Sequence, residues 1–167
     1  YVDHEYAPYA QGIFGNTPEM MDFYSEYTGV EYPWPKYAQM VGTDYVSGAM
    51  ENTTAVLHGE AAYQIDEQLT DSNTFERTIA HEMFHHWFGD LVTAESWSNL
   101  TVNESFANYS EYLWFEYKYG RVKEKQHHQG HQVHDNFHIG HSRLLWHGLL
   151  PCGHFGVKEN CYRRQNG

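Results

Sequence analysis

Basic residues are scarce in this sequence. Ten Lys and Arg stand against 22 Asp and Glu, and the formal net charge is −12. Between residues 1 and 120 only Lys36, Arg77 and Lys118 are basic, against 19 acidic residues, a balance of −16. That balance excludes nucleic acid and anionic membrane as partners, because both need a basic footprint. It suits a substrate with positive charge, although a solvated acidic surface accounts for most single carboxylates. Cysteine is absent from the first 151 residues, and Cys152 and Cys161 alone make no disulfide framework and leave the redox compartment open. No apolar run approaches the roughly 20 residues of a membrane-spanning helix. The opening YVDHEYAPYA lacks the basic and apolar regions of a signal peptide and reads like the middle of a longer protein, so localisation stays open.

What is plentiful is aromatic surface. Phe, Tyr and Trp make up 17% of the 167 residues, enough apolar area for one domain with a real core. NTPEMMDFYSEYTG (16–29) reads as a helix, with Thr17 as cap, Pro18 in the first turn and Gly29 as the stop. Met20, Phe23, Tyr24 and Tyr27 give it one apolar face. Pro33 and Pro35 end helical structure, and residues 37–59 read as short strands broken by Gly42, Gly48 and Gly59. A second helix opens near Asn73, where Glu76 completes a capping-box pattern, and stops at Gly89. A third spans 103–120, with an apolar stripe of Phe106, Tyr109, Leu113, Trp114 and Tyr117.

Past Gly120 the composition shifts. Residues 121–167 hold eight of the 13 histidines and a balance of +4. We therefore divide the chain into a domain over 1–120 and a His-rich tail over 121–167. Three readings of the tail stay open: a solvated segment, a junction or altered reading frame, and a second metal site.

The stretch HEMFHHW (81–87) carries the chemistry. Successive helical residues turn by about 100°, so His85 lies about 40° from His81, Glu82 about 100° and His86 about 140°. His81 and His85 share a face, Glu82 flanks it, and His86 is a bystander pointing elsewhere. A catalytic zinc wants three protein ligands and an open position. Eighteen residues separate His85 from Glu104 at the start of the third helix, and two antiparallel helices can bring that glutamate opposite the pair. Zinc held this way acidifies water and polarises a carbonyl, and Glu82 is placed to act as general base. Glu111, two turns beyond Glu104, is either a surface carboxylate or an acceptor for a ligand histidine's N–H.

GAMEN (Gly48, Ala49, Met50, Glu51, Asn52) lies about thirty residues upstream. Together with HEMFH and Glu104 it resembles the M1 family of zinc aminopeptidases, the gluzincin aminopeptidases, most closely their bacterial members. YPWPKYAQMV, HHWFGDLVT and WSNLTVNESFA extend the likeness over roughly residues 1–120. The resemblance implies an α+β, thermolysin-like zincin catalytic domain, with a small N-terminal β-sheet followed by helices that carry one zinc per chain. It implies His81, His85 and Glu104 as ligands, Glu82 as base, Glu51 as the anchor for a peptide's free α-amino group, and Gly48 to Asn52 as the substrate-binding segment. A carboxylate at fixed distance from the metal pairs with an ammonium and admits only the first peptide bond. An edge strand through Gly48 and Ala49 would pair with the extended peptide.

The family often has Gln where His86 stands and Asn where Asp90 stands. Its members also carry a β-rich N-terminal domain and a helical C-terminal domain, neither of which 167 residues accommodate. Tyr162 lies near the position of the family's oxyanion-stabilising tyrosine, but NCYRRQNG does not match Tyr-x-Lys-Gly and it is left unassigned. The expected function is zinc-dependent removal of N-terminal residues from peptides. The alternatives are a zinc-binding fragment with little activity, a thermolysin-type endopeptidase, against which GAMEN argues, and a metal-sequestering module centred on the tail.

Overall fold

Glycine and proline positions set the element boundaries. The computed structural model describes residues 1–120. The tail over 121–167, its histidines and Tyr162 lie outside the described residues. A 3₁₀ stretch (His4–Tyr9) leads into helix α1 (Ala10–Phe14) and helix α2 (Thr17–Thr28). Gly29 ends α2 with φ +70°, a left-handed conformation that glycine adopts without steric cost. Thr17 is not the cap. Its hydroxyl accepts from Gln39 at 2.9 Å, and Asn16 donates to Glu76 at 2.8 Å, so long-range bonds use both side chains that could have closed the helix end. Met20, Tyr24 and Thr28 form the buried face, with Phe23 and Tyr27 at its margins.

Strands β1 (Ala38–Val41), β2 (Ala49–Met50) and β3 (Ala55–His58) form one sheet in the order β1-β3-β2. β1 runs parallel to β3 and β2 antiparallel to it. The short strands expected over 37–59 are therefore present, and β2 is an edge strand. The sheet does not open the chain, however: α1 and α2 precede it, because the apolar faces of residues 10–28 are helical in period. Helix α3 (Asp66–Asp71) follows, then α4 (Glu76–Phe84) and α5 (Thr101–Tyr119). None of the described helices is long and apolar enough to cross a membrane.

Two expectations need correction. The buried face of α5 is Ala107, Ser110, Glu111, Trp114 and Phe115, so Trp114 alone of the expected stripe is buried, and Tyr117 is 55% exposed. Small residues on the inner face allow α5 to lie close to α4, while the aromatics flank the contact; Phe106 packs on Phe88 and Tyr117 stacks on Phe23. Nor does Glu76 close a capping box. It is 2% exposed, and its carboxylate accepts from Asn16 (2.8 Å), Trp114 Nε1 (2.8 Å) and Tyr119 (2.6 Å). Asn73 instead accepts from the Phe75 amide at 3.1 Å.

The Glu76 carboxylate thus ties α2 and the C-terminal half of α5 to the first turn of α4. Removing a buried acceptor strands its donors, at about 1–3 kcal/mol each. Glu76→Leu should destabilise the fold by about 3 kcal/mol or more in denaturant unfolding, whereas a loss within about 0.5 kcal/mol would show that these bonds contribute little.

Candidate metal centre

Residues four apart on a helix share a face, and α4 places His81 in its last turn with His85 at its C-terminal cap. The two Nε2 atoms are 3.0 Å apart. Glu104, in the first turn of α5, brings Oε2 to 3.4 Å from His81 Nε2 and Oε1 to 3.8 Å from His85 Nε2. The three ligand atoms lie within 4.8 Å of one another. Glu111 Oε1 is 2.9 Å from His81 Nδ1, and its Oε2 is 3.1 Å from Arg77. His85 Nδ1 is 3.0 Å from the Phe88 carbonyl oxygen.

These partners decide the tautomers. A carbonyl and a carboxylate accept, so each Nδ1 carries the proton and each Nε2 presents a lone pair. Two lone pairs and a carboxylate then converge on one point, which is repulsive unless a cation stands among them. Burial alone would lower His81, but its hydrogen bonds to Glu104 and Glu111 raise it to about 10. The bond to His81 in turn holds the Glu104 carboxyl below its ordinary range. Burial pushes His85 down, and its neighbour His81 adds to that. Without metal the cluster therefore holds a proton on His81, and a metal ion fits the same donors as its replacement.

The chain tightens just past α4. His86 N–H donates to the Met83 carbonyl and Trp87 N–H to that of Phe84, at 3.1 and 3.0 Å. Gly89 then turns away with φ +148°, where an added Cβ would sit 2.9 Å from the His85 carbonyl oxygen and 3.1 Å from His85 Nδ1. The helix has already ended at Phe84 with His85 as its cap, so Gly89 is not the expected stop; it makes room for the ring of His85.

Glu82 is 6% exposed, and its Oε2 is buried without a hydrogen-bond partner among the described residues. Burial, with Glu51, Glu104 and Glu111 nearby, raises its carboxyl to about 7 against the lowering effect of His81. Glu51 Oε1 lies 3.9 Å from His85 Nδ1. Gly48, Ala49, Met50, Glu51, Glu82, His81, His85 and Glu104 line one cleft of about 840 Å³. Asn52 is not among the lining residues; it is exposed, and its carbonyl accepts from the Ala55 amide at 2.8 Å. Arg77 and Trp97 also line the cleft without having been singled out. An arginine one turn before His81, on a body with two other basic residues, was the signal available for the first.

His86 faces away from the ligand pair, as its angle on the helix requires, but it is no bystander. It has no exposed surface. Its Nδ1 lies 3.2 Å from the Glu82 carbonyl oxygen and its Nε2 3.3 Å from the Thr54 amide. Burial lowers it to about 4.

Gly89→Ala should weaken metal binding about tenfold or more, because it displaces the ring of His85 and its Phe88 bond. Gly29, with nothing within 4 Å of an added Cβ, is the control: Gly29→Ala strains a helix end but should leave metal affinity unchanged. Competition with a chromogenic chelator reads both, and equal affinity in the two variants would contradict the role given to Gly89.

Comparison with known proteins identifies the family. The family model for the peptidase family M1 domain matches residues 13–143. Mouse aminopeptidase N is 37% identical over 119 residues, which cover 70% of this chain and 12% of that protein. Aminopeptidase M1 of Arabidopsis thaliana is 42% identical over 96 residues, 56% of this chain and 11% of that protein. Aminopeptidase N of Lactobacillus helveticus is 43% identical over 96 residues, with the same coverage of 56% and 11%. The chain thus spans about an eighth of the length of these relatives, and mammalian, plant and bacterial proteins match in one narrow range that does not single out the bacterial ones. With the match extending over most of its length and a histidine–carboxylate metal cluster inside the matched span, this chain belongs to peptidase family M1.

Proposed function

We propose that the chain carries the zinc site of an aminopeptidase, on a thermolysin-like zincin scaffold, and that it releases N-terminal residues from peptides. His81, His85 and Glu104 are the ligands, a set of two imidazoles and one carboxylate that suits zinc and leaves a position open. Bound zinc would supply an acidified water and a polarised carbonyl. Glu82, which lines the cleft, accepts the proton of the attacking water and delivers it to the departing amine. Glu111 holds the His81 ring in the tautomer that ligation needs.

The observation that carries the exopeptidase reading is the position of Glu51, whose side chain is 19% exposed and 3.9 Å from a ligand histidine in the same cleft. An ammonium paired with this carboxylate leaves its own residue between Glu51 and the metal, so the first peptide bond is the one presented. Gly48, Ala49 and Met50 lie on or beside edge strand β2, where an extended peptide can add main-chain hydrogen bonds. Asn52 serves the turn after Glu51 rather than the peptide.

A second reading follows from the share of the relatives that the chain covers: a zinc-binding segment with little turnover of its own. Metal content and hydrolysis of amino-acid anilides, measured on the same zinc-loaded protein, separate the two. The aminopeptidase reading expects one zinc per chain and turnover lost on chelation. Glu82→Gln should lower kcat by about 10²-fold or more with zinc retained. One zinc without turnover favours the second reading. Cleavage of N-terminally blocked peptides in preference to free ones would overturn the exopeptidase assignment.

A further inference from the structure

The segment that bears Glu51 is held in a strained shape. Residues 51–54 join β2 to β3, and Thr54 has φ +69°. A β-branched residue is an outlier in that left-handed region, and such strain persists only where the surroundings over-determine it. The Thr54 carbonyl accepts from the Ala38 amide at 3.0 Å, and the Thr54 amide donates to His86 Nε2 at 3.3 Å.

We propose that His86 is a positioning residue, which clamps the Glu51-bearing turn to the end of α4 and so sets the separation of the amine anchor from the metal ligands. The proposal rests on the reading of Glu51 as that anchor. An amide can only donate, so His86 Nε2 is the acceptor and the ring proton is on Nδ1. That proton goes to the Glu82 carbonyl oxygen, 3.2 Å away. This carbonyl is available because the chain tightens after α4, where His86 N–H bonds to Met83 instead of Glu82. One imidazole therefore bridges the main chain of the residue proposed as base and the main chain three residues after Glu51. The ring is fixed from both sides: it has no exposed surface, Tyr32 and Tyr37 pack on it with centroids at 5.6 and 5.0 Å, and Trp34 Nε1 donates to its own carbonyl at 3.1 Å.

Asparagine and glutamine separate the two ends of the ring. His86→Asn can still donate to the Glu82 carbonyl but cannot reach Thr54, whereas His86→Gln reaches Thr54. Leucine hydroxamate and N-acetyl-leucine hydroxamate share one zinc-chelating group and differ in the free amine. Calorimetry on zinc-loaded protein should show the wild type preferring the free amine by at least about tenfold, the scale of one charge-assisted bond. Glu51→Gln should abolish that preference. His86→Asn should reduce it severalfold with zinc affinity unchanged, and His86→Gln should restore it. A full preference in His86→Asn, with Glu51→Gln lacking it, overturns the clamp while leaving the anchor standing. Persistence of the preference in Glu51→Gln overturns the anchor and the clamp with it. Nitrogen NMR of the metal-free wild type tests the clamp without any substitution: His86 should carry its proton on Nδ1 and the Thr54 amide should exchange slowly with solvent, and an Nε2-protonated ring or a freely exchanging amide overturns the proposal.

Discussion

Polar contacts run the length of the packing between α4 and α5. Glu76 bonds Trp114 and Tyr119, Arg77 and His81 bond Glu111, and His81 and His85 face Glu104. Residue numbers rise along one helix as they fall along the other, so the pair is antiparallel and its register is set by side chains of opposite character. The metal cluster is one rung of this ladder. Its geometry depends on the two helices approaching closely, which Ala80, Ala107 and Ser110, all without exposed surface, make possible. The register is also tied to α2, since Tyr24 donates to the Ser110 carbonyl at 2.9 Å.

The same ladder concentrates negative charge. Glu51, Glu82, Glu95, Glu104 and Glu111 line one cleft, with Arg77 as the single Lys or Arg among its described lining residues. In partly desolvated surroundings such a set is unfavourable without a compensating cation. His81 answers this in the metal-free state by holding a proton, with its imidazole raised to about 10. A metal ion answers it better, because it satisfies both imidazoles and the Glu104 carboxylate together. Glu82 is then a largely buried carboxylate on the wall of that cleft, the setting that the proposed proton carrier needs.

The parts of the site that the sequence made legible are those governed by local geometry. The i, i+4 spacing of His81 and His85, the flanking place of Glu82 and the position of Glu104 at a helix start follow from helical period and spacing. The strands over 37–59 were readable from their glycine breaks, though not their order or the helices ahead of them. What escaped notice depends on tertiary contacts. Glu76 looked like half of a capping box because the donors from α2 and α5 are distant in sequence. The aromatic stripe of α5 misled except at Trp114, because apolar residues at helical spacing do not say which face meets a neighbour, and here that face carries Ala107, Ser110 and Glu111 beside Trp114 and Phe115. His86 was read as a bystander, and nothing local reveals that its ring contacts the Thr54 amide and the Glu82 carbonyl.

The central claim is that one metal is held by two imidazoles of α4 and a carboxylate of α5. X-ray absorption at the zinc edge of the full chain loaded with one equivalent tests it most directly, because imidazole rings scatter with a recognisable multiple-scattering signature. The account predicts two imidazoles, the rest of the shell oxygen, and loss of one imidazole on His81→Ala. A shell with three or more imidazoles, or with sulfur from Cys152 or Cys161, unchanged by that substitution, would place the metal elsewhere in the chain and contradict it.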